Sequence, residues 1–218
     1  MTREEYEAVA QKTENWLPGR EAIVDCLKKL YPDQKARHYE MDKIVIDGQD
    51  QHLDRISIYQ SENGYKHLVT NGMSQIYPDI DALGGEFSGW GYEMTMKLPE
   101  ESFDECLWAV DAMLILAANT NTTGKYLKPL QFISGGKKSI KAGYRSTKLM
   151  AFLAVEDTEL SSCMTLHGQL DFLQLVGITK RELYMIAEDA RRKHELIKRM
   201  KEDEPFLVID INRRKEYL

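Results

Sequence analysis

The residues of this 218-residue chain whose types can do chemistry are its histidines, its cysteines and one lysine-bearing glycine run. Gly135-Gly136-Lys137-Lys138-Ser139 suggests a phosphate loop, in which backbone amides and a lysine cradle the anion. That motif needs Gly-x-x-x-x-Gly-Lys-Ser/Thr. Gln131 stands where the first glycine is required and Lys138 follows the lysine, so the run reads as a hairpin turn. His38, His52, His67, His167 and His194 never fall at His-x-x-His or His-x-x-x-His spacing, nor beside a carboxylate at ligand spacing. No metal and no other cofactor is indicated. His67 alternates with Tyr65 and Val69, the pattern of a hydrogen-bonded histidine on a strand. Cys26, Cys106 and Cys163 are odd in number, widely separated and without Cys-x-x-Cys spacing, so they read as core thiols and not as a disulfide framework or zinc knuckle. No Gly-x-Ser-x-Gly elbow is present. Glu93 falls between large apolar residues of a strand pattern and reads as facing water. The alternative makes it an acid that works with His67 as base in an open cleft.

The elements that must position these groups centre on residues 54 to 98. Trp90, Tyr92, Met94, Met96 and Leu98 take alternate positions, with Gly91, Glu93, Thr95 and Lys97 between them, which predicts a half-buried strand. Residues 54–60 and 65–72 are rich in β-branched and aromatic residues and are joined through Asn63-Gly64, which predicts a hairpin. Upstream, residues 3–15 form a docked helix or a frayed arm that ends at Pro18-Gly19. Ile23, Cys26, Leu27 and Leu30 then mark one buried helix face from Arg20 to Tyr31. Arg37 to Ile46 reads as an edge strand or loop, followed by a turn at Asp47-Gly48-Gln49-Asp50.

Downstream, Pro99 opens a helix with Glu100, Glu101, Asp104 and Glu105 in its first turns and a stripe of Phe103, Leu107, Val110 and Leu114, widened by Cys106, Ala109 and Met113. Residues 119–124 break it. Strands are predicted over Tyr126–Ser134, over Leu149–Val155 at the sheet centre, and over Leu170–Val176. Thr179 and Glu182 make a capping box, with Ile178 stapled to Leu183, for a helix that runs to about Met200 and leaves the body in its charged second half. Phe206–Ile211 reads as a last strand.

Composition bounds the function classes. Hydrophobic content of 43% and charged content of 29% are those of a soluble globular protein, and a net charge of −6 argues against a general phosphate-binding surface, so no direct nucleic-acid partner is expected. The first residues lack the apolar core of a signal peptide and no run is long and apolar enough for a membrane helix, which leads to a cytoplasmic expectation. The expected organisation is an N-terminal helical arm over residues 1–19 and a single domain over residues 20–215. The expected fold class is α/β (α+β), a central mixed sheet with helices packed on it.

Three ordered runs carry a resemblance: Leu53-Asp54-x-Ile56-Ser57-x-Tyr59; His67-Leu68-Val69-Thr70-x-Gly72-Met73-Ser74-x-x-Tyr77; and Ser88-Gly89-Trp90-Gly91-Tyr92-Glu93-Met94-Thr95. With Leu30-Tyr31-Pro32-Asp33-Gln34, Phe172–Leu183 and Phe206–Arg214, they resemble the suppressor-of-fused domain from about residue 20 to 215. The resemblance implies a mixed sheet with packed helices and protein binding in place of catalysis. It also implies that a bacterial single-domain member is an immunity protein that neutralises a cognate toxin by binding it. A regulatory adaptor that takes a peptide by strand addition is the alternative. The chain is too short for the second lobe of the eukaryotic member. Where that member's peptide-contacting stretch has an acidic residue after a glycine, this chain has Gly124-Lys125-Tyr126, and the charge reversal suggests a different partner. The partner-binding candidates are therefore Tyr59, Trp90, Tyr92, Lys125 and Tyr126.

Overall fold

Alternation of apolar side chains over residues 90 to 98 demands a strand with two differently lined faces, and from residue 91 both faces are covered. The computed structural model describes residues 1–218 except 41–44, 47, 48, 51, 52, 100, 101, 137 and 145. The chain runs α1 (Arg3–Lys12), α2 (Pro18–Leu30), β1 (Arg37–Glu40), the short strands β2 (Val45–Ile46) and β3 (Gln49–Asp50), β4 (Arg55–Gln60), β5 (Lys66–Asn71) and β6 (Phe87–Leu98). It continues through a 3-10 turn (Asp104–Cys106), α3 (Leu107–Thr123), β7 (Phe132–Ser134), β8 (Leu149–Glu156), β9 (Cys163–Thr165), β10 (Gly168–Thr179), α4 (Lys180–Glu188) and α5 (Arg192–Asp203). Among the described residues, one sheet is ordered β1-β4-β5-β6-β10-β8-β7, with β9 beside the first residues of β10. β6 and β10 pair parallel, and every other ladder in the sheet is antiparallel. The sheet is therefore mixed, with helices on both faces, as the expected α+β class requires.

On one face Tyr92, Met94, Met96 and Leu98 pack with Leu173 and Leu175 against Ala109, Val110, Met113 and Ala117 of α3. The opposite face is split. Val69, Phe172 and Leu170 meet Ile23 and Leu27 of α2, while Leu153, Val176 and Ile178 meet Ile186, Leu196 and Met200 of α4 and α5. Between these two apolar patches lie Glu93, Thr95 and Lys97, all fully buried. From residue 91 to 98 β6 is thus buried on both sides, not half-buried, and Glu93 does not face water. The period-two signal was sound, but polarity on the second face marks an internal polar band.

Several boundaries move. The helix expected from Pro99 begins at the 3-10 turn, its buried stripe is Cys106, Ala109, Val110, Met113, Ala117 and Thr120, and Leu107 is exposed. It carries on through residues 119–123, where Thr123 Oγ1 donates to the Asn119 carbonyl at 2.7 Å and so keeps its hydroxyl satisfied inside the helix. The strand expected over 126–134 shortens to β7. The capping box at Thr179 and Glu182 forms, but the helix breaks at Asp189, whose carboxylate accepts the Arg191 amide at 3.0 Å and closes a turn. α5 folds back, burying Leu196 and Met200, so its charged outer side hides an inner apolar one. Phe206–Ile211 is not a strand: Leu207 sits at φ 54, the Phe206 and Leu207 carbonyls accept from the Gln174 side chain at 2.8 and 3.2 Å, and the Ile209 amide donates to the Lys97 carbonyl at 2.8 Å. His52, Glu100, Glu101, Lys137 and the first half of the 47–50 turn lie outside the described residues.

Candidate functional site

The N-terminal part of β6 leaves regular pairing between Phe87 and Tyr92, since Phe87 pairs with Gln169 and Tyr92 already with Asp171. Three extra residues are accommodated there, and the backbone folds under itself at Gly89 (φ 56), where a Cβ would sit 2.8 Å from the Met73 carbonyl oxygen. This bulge turns Trp90 toward the C-terminal end of α3. Its backbone amide donates to the Met73 carbonyl at 2.9 Å and its indole Nε1–H to Asn121 Oδ1 at 2.7 Å. The indole face is stacked with Tyr126, ring centroids 6.4 Å apart at 26°. Tyr126 is 45% exposed and carries Lys128 Nζ 5.1 Å from its ring, and Lys125 beside it is exposed. The result is an aromatic ledge with a fixed indole, a second ring open to solvent and two ammonium groups. In the same register row across β6, β10 and β9, Phe87 and Met164 flank Gln169 and are 51% and 72% exposed.

On the opposite face the polar band is a closed network. Asp157, just after β8, accepts from His67 Nε2 at 3.1 Å and Thr95 Oγ1 at 2.5 Å through Oδ2. Its Oδ1 accepts the amides of Glu159 and Leu160 and lies 3.3 Å from Lys97 Nζ. Lys97 also donates to Glu159 at 2.7 Å and to Thr158 Oγ1 at 2.5 Å. Tyr65 donates to Glu159, and Tyr31 hydrogen-bonds His67 Nδ1 at 2.9 Å. Burial opposes the Asp157 charge, but the hydrogen bond and charge of His67, then Lys97 and Thr95, outweigh it and hold the carboxyl far below the usual range. Burial, with Glu159 and Asp157 nearby, pushes the Tyr31 and Tyr65 phenols well up. Glu93 forms a separate cage: its carboxylate accepts from Thr70 Oγ1, Ser74 Oγ and the amides of Gly72, Met73 and Ser74. Burial pushes its carboxyl up against the pull of those donors.

A family model described as Suppressor of fused protein (SUFU) matches residues 49–214. The chain belongs to the suppressor of fused family. Among curated SUFU proteins, the human and mouse Suppressor of fused homologs are each 27% identical over 184 residues, spanning 76% of this chain and 37% of theirs. The chain thus spans well under half the length of the curated SUFU proteins it matches. Of solved structures, a Sufu–Fu complex superposes with a TM-score of 0.77 at 24% identity, covering 92% of each chain. Drosophila Suppressor of Fused gives 0.76 at 23% identity over 94% of this chain and 52% of its own. A SUFU homolog from Neisseria gonorrhoeae gives 0.61 at 14% identity over 92% and 97%. These likenesses establish a SUFU fold.

Within this SUFU domain the structure brings Trp90, Lys125 and Tyr126 together and separates them from the other two candidates. Tyr59 is buried under α2, stacked on Tyr31 at 4.7 Å and 11°. Tyr92 is buried under α3, its hydroxyl 3.4 Å from Thr120 Oγ1 and accepting the Leu127 amide at 3.3 Å. Neither ring can be an exposed anchor: both point into faces of the sheet that helices cover. His67 and Glu93 share a face but no hydrogen bond, and both are fully buried, so the open cleft needed by an acid–base pair is not formed. Asn121, Lys128, Lys97, Asp157 and Glu159 were not singled out from the sequence. The signal for Lys97 was there, a lysine at an inward strand position, but its acidic partners lie about 60 residues away. Asn121 was hidden by a polar run that reads as a helix break.

Proposed function

We propose that this chain is a non-catalytic protein-binding domain whose contact surface is the ledge of Trp90, Tyr126, Lys125 and Lys128. The carrying observation is the Trp90–Asn121 hydrogen bond with Tyr126 stacked beside it, which pre-orients an amphipathic ring pair at the surface and reduces the entropy a partner must overcome. Aromatic residues of this kind dominate interface energetics when desolvated. A solved relative is a Sufu–Fu complex, which makes protein partnership the family precedent. Two ammonium groups at the ledge favour an acidic or carboxylate-bearing segment at that point of the partner, opposite in sign to what the chain's overall net charge of −6 would attract. For the partner itself we favour a toxin that this chain neutralises in the cytoplasm, by analogy with bacterial single-domain members, with the adaptor reading as the alternative.

The test is affinity purification of the tagged protein from its native lysate, with bound proteins identified by mass spectrometry, repeated with Trp90→Ala and Tyr126→Ala. One stoichiometric partner is expected, bound about 30-fold more weakly or worse by each folded variant. Unchanged affinity in both variants would move the contact surface elsewhere. A partner whose activity the protein leaves intact would replace the antitoxin reading with the adaptor.

A further inference from the structure

Two of the three cysteines, remote in sequence, stand on adjoining elements beside one apolar cluster. Cys163 lies on β9 opposite Leu170 of β10, so its side chain points to the face where Leu170 packs with Ile23 and Leu27 of α2. Cys26 stands on α2 between those two residues, and α2 lies directly against β9. Both cysteines pack at the margin of this apolar cluster and both are half-buried, so solvent reaches them. They are free thiols on facing elements, and each sulfur is close enough to perturb the other's titration. Cys106, by contrast, is fully buried on the α3 side of the sheet.

We propose that Cys26 and Cys163 are a peroxide-reactive dithiol that closes reversibly to a disulfide and staples α2 to β9. Cys26 is the attacking sulfur: the neighbouring Cys163, helped by Lys29 one turn along α2, draws its thiol down against burial and Asp25, while Cys26 and burial push Cys163 up. The Cys26 thiolate attacks one oxygen of a hydroperoxide. The O–O bond breaks, the sulfur becomes a sulfenic acid, and the other oxygen leaves as water or alcohol after taking a proton. Cys163 sulfur then attacks the Cys26 sulfur, the S–O bond breaks, and its hydroxide leaves as water with the Cys163 proton. Two thiols lose two electrons in total and the peroxide gains them. The site suits the second step, because α2 already lies against β9 and both thiols edge the same apolar cluster. The staple would fix β9, a three-residue strand paired among the described residues with β10 alone, to a helix near the N-terminus.

The experiment is titration of the reduced full chain with one equivalent of hydrogen peroxide, followed by alkylation and peptide mapping. The expected product has lost two thiols and two mass units, links the peptides of Cys26 and Cys163, leaves Cys106 alkylated, and reverts with a dithiol reductant. Its melting temperature should rise by roughly 5–10 °C, because a long loop is closed in the unfolded chain. Cys163→Ser should stop at a sulfenic acid on Cys26 that dimedone traps, and Cys26→Ser should give little adduct. Three alkylatable thiols after treatment, a crosslink between two molecules, or stronger trapping at Cys163 in Cys26→Ser than at Cys26 in Cys163→Ser would each overturn the proposal. Both serine variants are near-isosteric, and circular dichroism confirms that they fold before the result is read.

Discussion

Glu93 carries the sharpest lesson at the scale of single residues. A carboxylate inside a strand invites either a solvated or a catalytic role, and here it is buried and gathers three backbone amides and two hydroxyls at the turn after β5. Those amides belong to Gly72, Met73 and Ser74, which leave the sheet and would otherwise be buried without acceptors. Glu93→Gln keeps the shape but sets an NH2 donor against groups that are themselves donors. It should therefore cost about 2–4 kcal/mol of stability in urea unfolding, with no change of fold. A variant as stable as the parent would show that the cage does not need a full acceptor. The caged carboxylate was legible only as a residue to inspect. Nothing along the chain reveals that the segment before Gln75 curls back over β6.

At the scale of elements, legibility followed period. The β4–β5 hairpin, β6, β10, α2 and the α4 cap were readable because alternation, helical spacing and a capping box are local signals. What failed were junctions decided by tertiary contacts: the start of α3, the break before α5 and the tail that crosses Lys97. The seam between α2 and the segment after β5 is another such junction. Gly19 lies in the first turn of α2, its amide donating to the Ile76 carbonyl at 3.2 Å, and a Cβ there would fall 1.8 Å from the Gln75 carbonyl oxygen. Backbone has little room to yield, so Gly19→Ala should destabilise by about 2–4 kcal/mol despite the better helix propensity of alanine. Thermal melting decides it, and a rise in melting temperature would mean that α2 can slide outward without penalty.

At the scale of the whole molecule, the buried charges couple the fold to pH. Asp157, in the polar band, and Glu182, bound by Arg213 at 2.7 Å, tie the tail and the segment after β8 to the sheet. Burial works against both charges, but His67 and Lys97 at Asp157 and Arg213 at Glu182 outweigh it, so both carboxyls are depressed in the folded state. A depressed carboxyl binds fewer protons folded than unfolded, where Asp and Glu titrate near about 3.9 and 4.3. Their stabilisation is therefore complete above about pH 5 and is lost as pH falls toward the folded values. Glu93 has the opposite sign: burial raises its carboxyl, so acidification favours the folded state there and offsets part of the loss. With two depressed buried carboxyls against one raised, stability should climb from pH 3 to pH 5 and then level off, as read from urea midpoints across that range. Asp157→Asn should lower the whole curve by about 3–5 kcal/mol at pH 7, because Lys97 loses a buried counter-charge, and should flatten its acid limb. An unchanged acid slope in that variant would place the proton uptake outside the network. A flattened one would identify the band between the two apolar patches as the element that sets the acid limit of the fold.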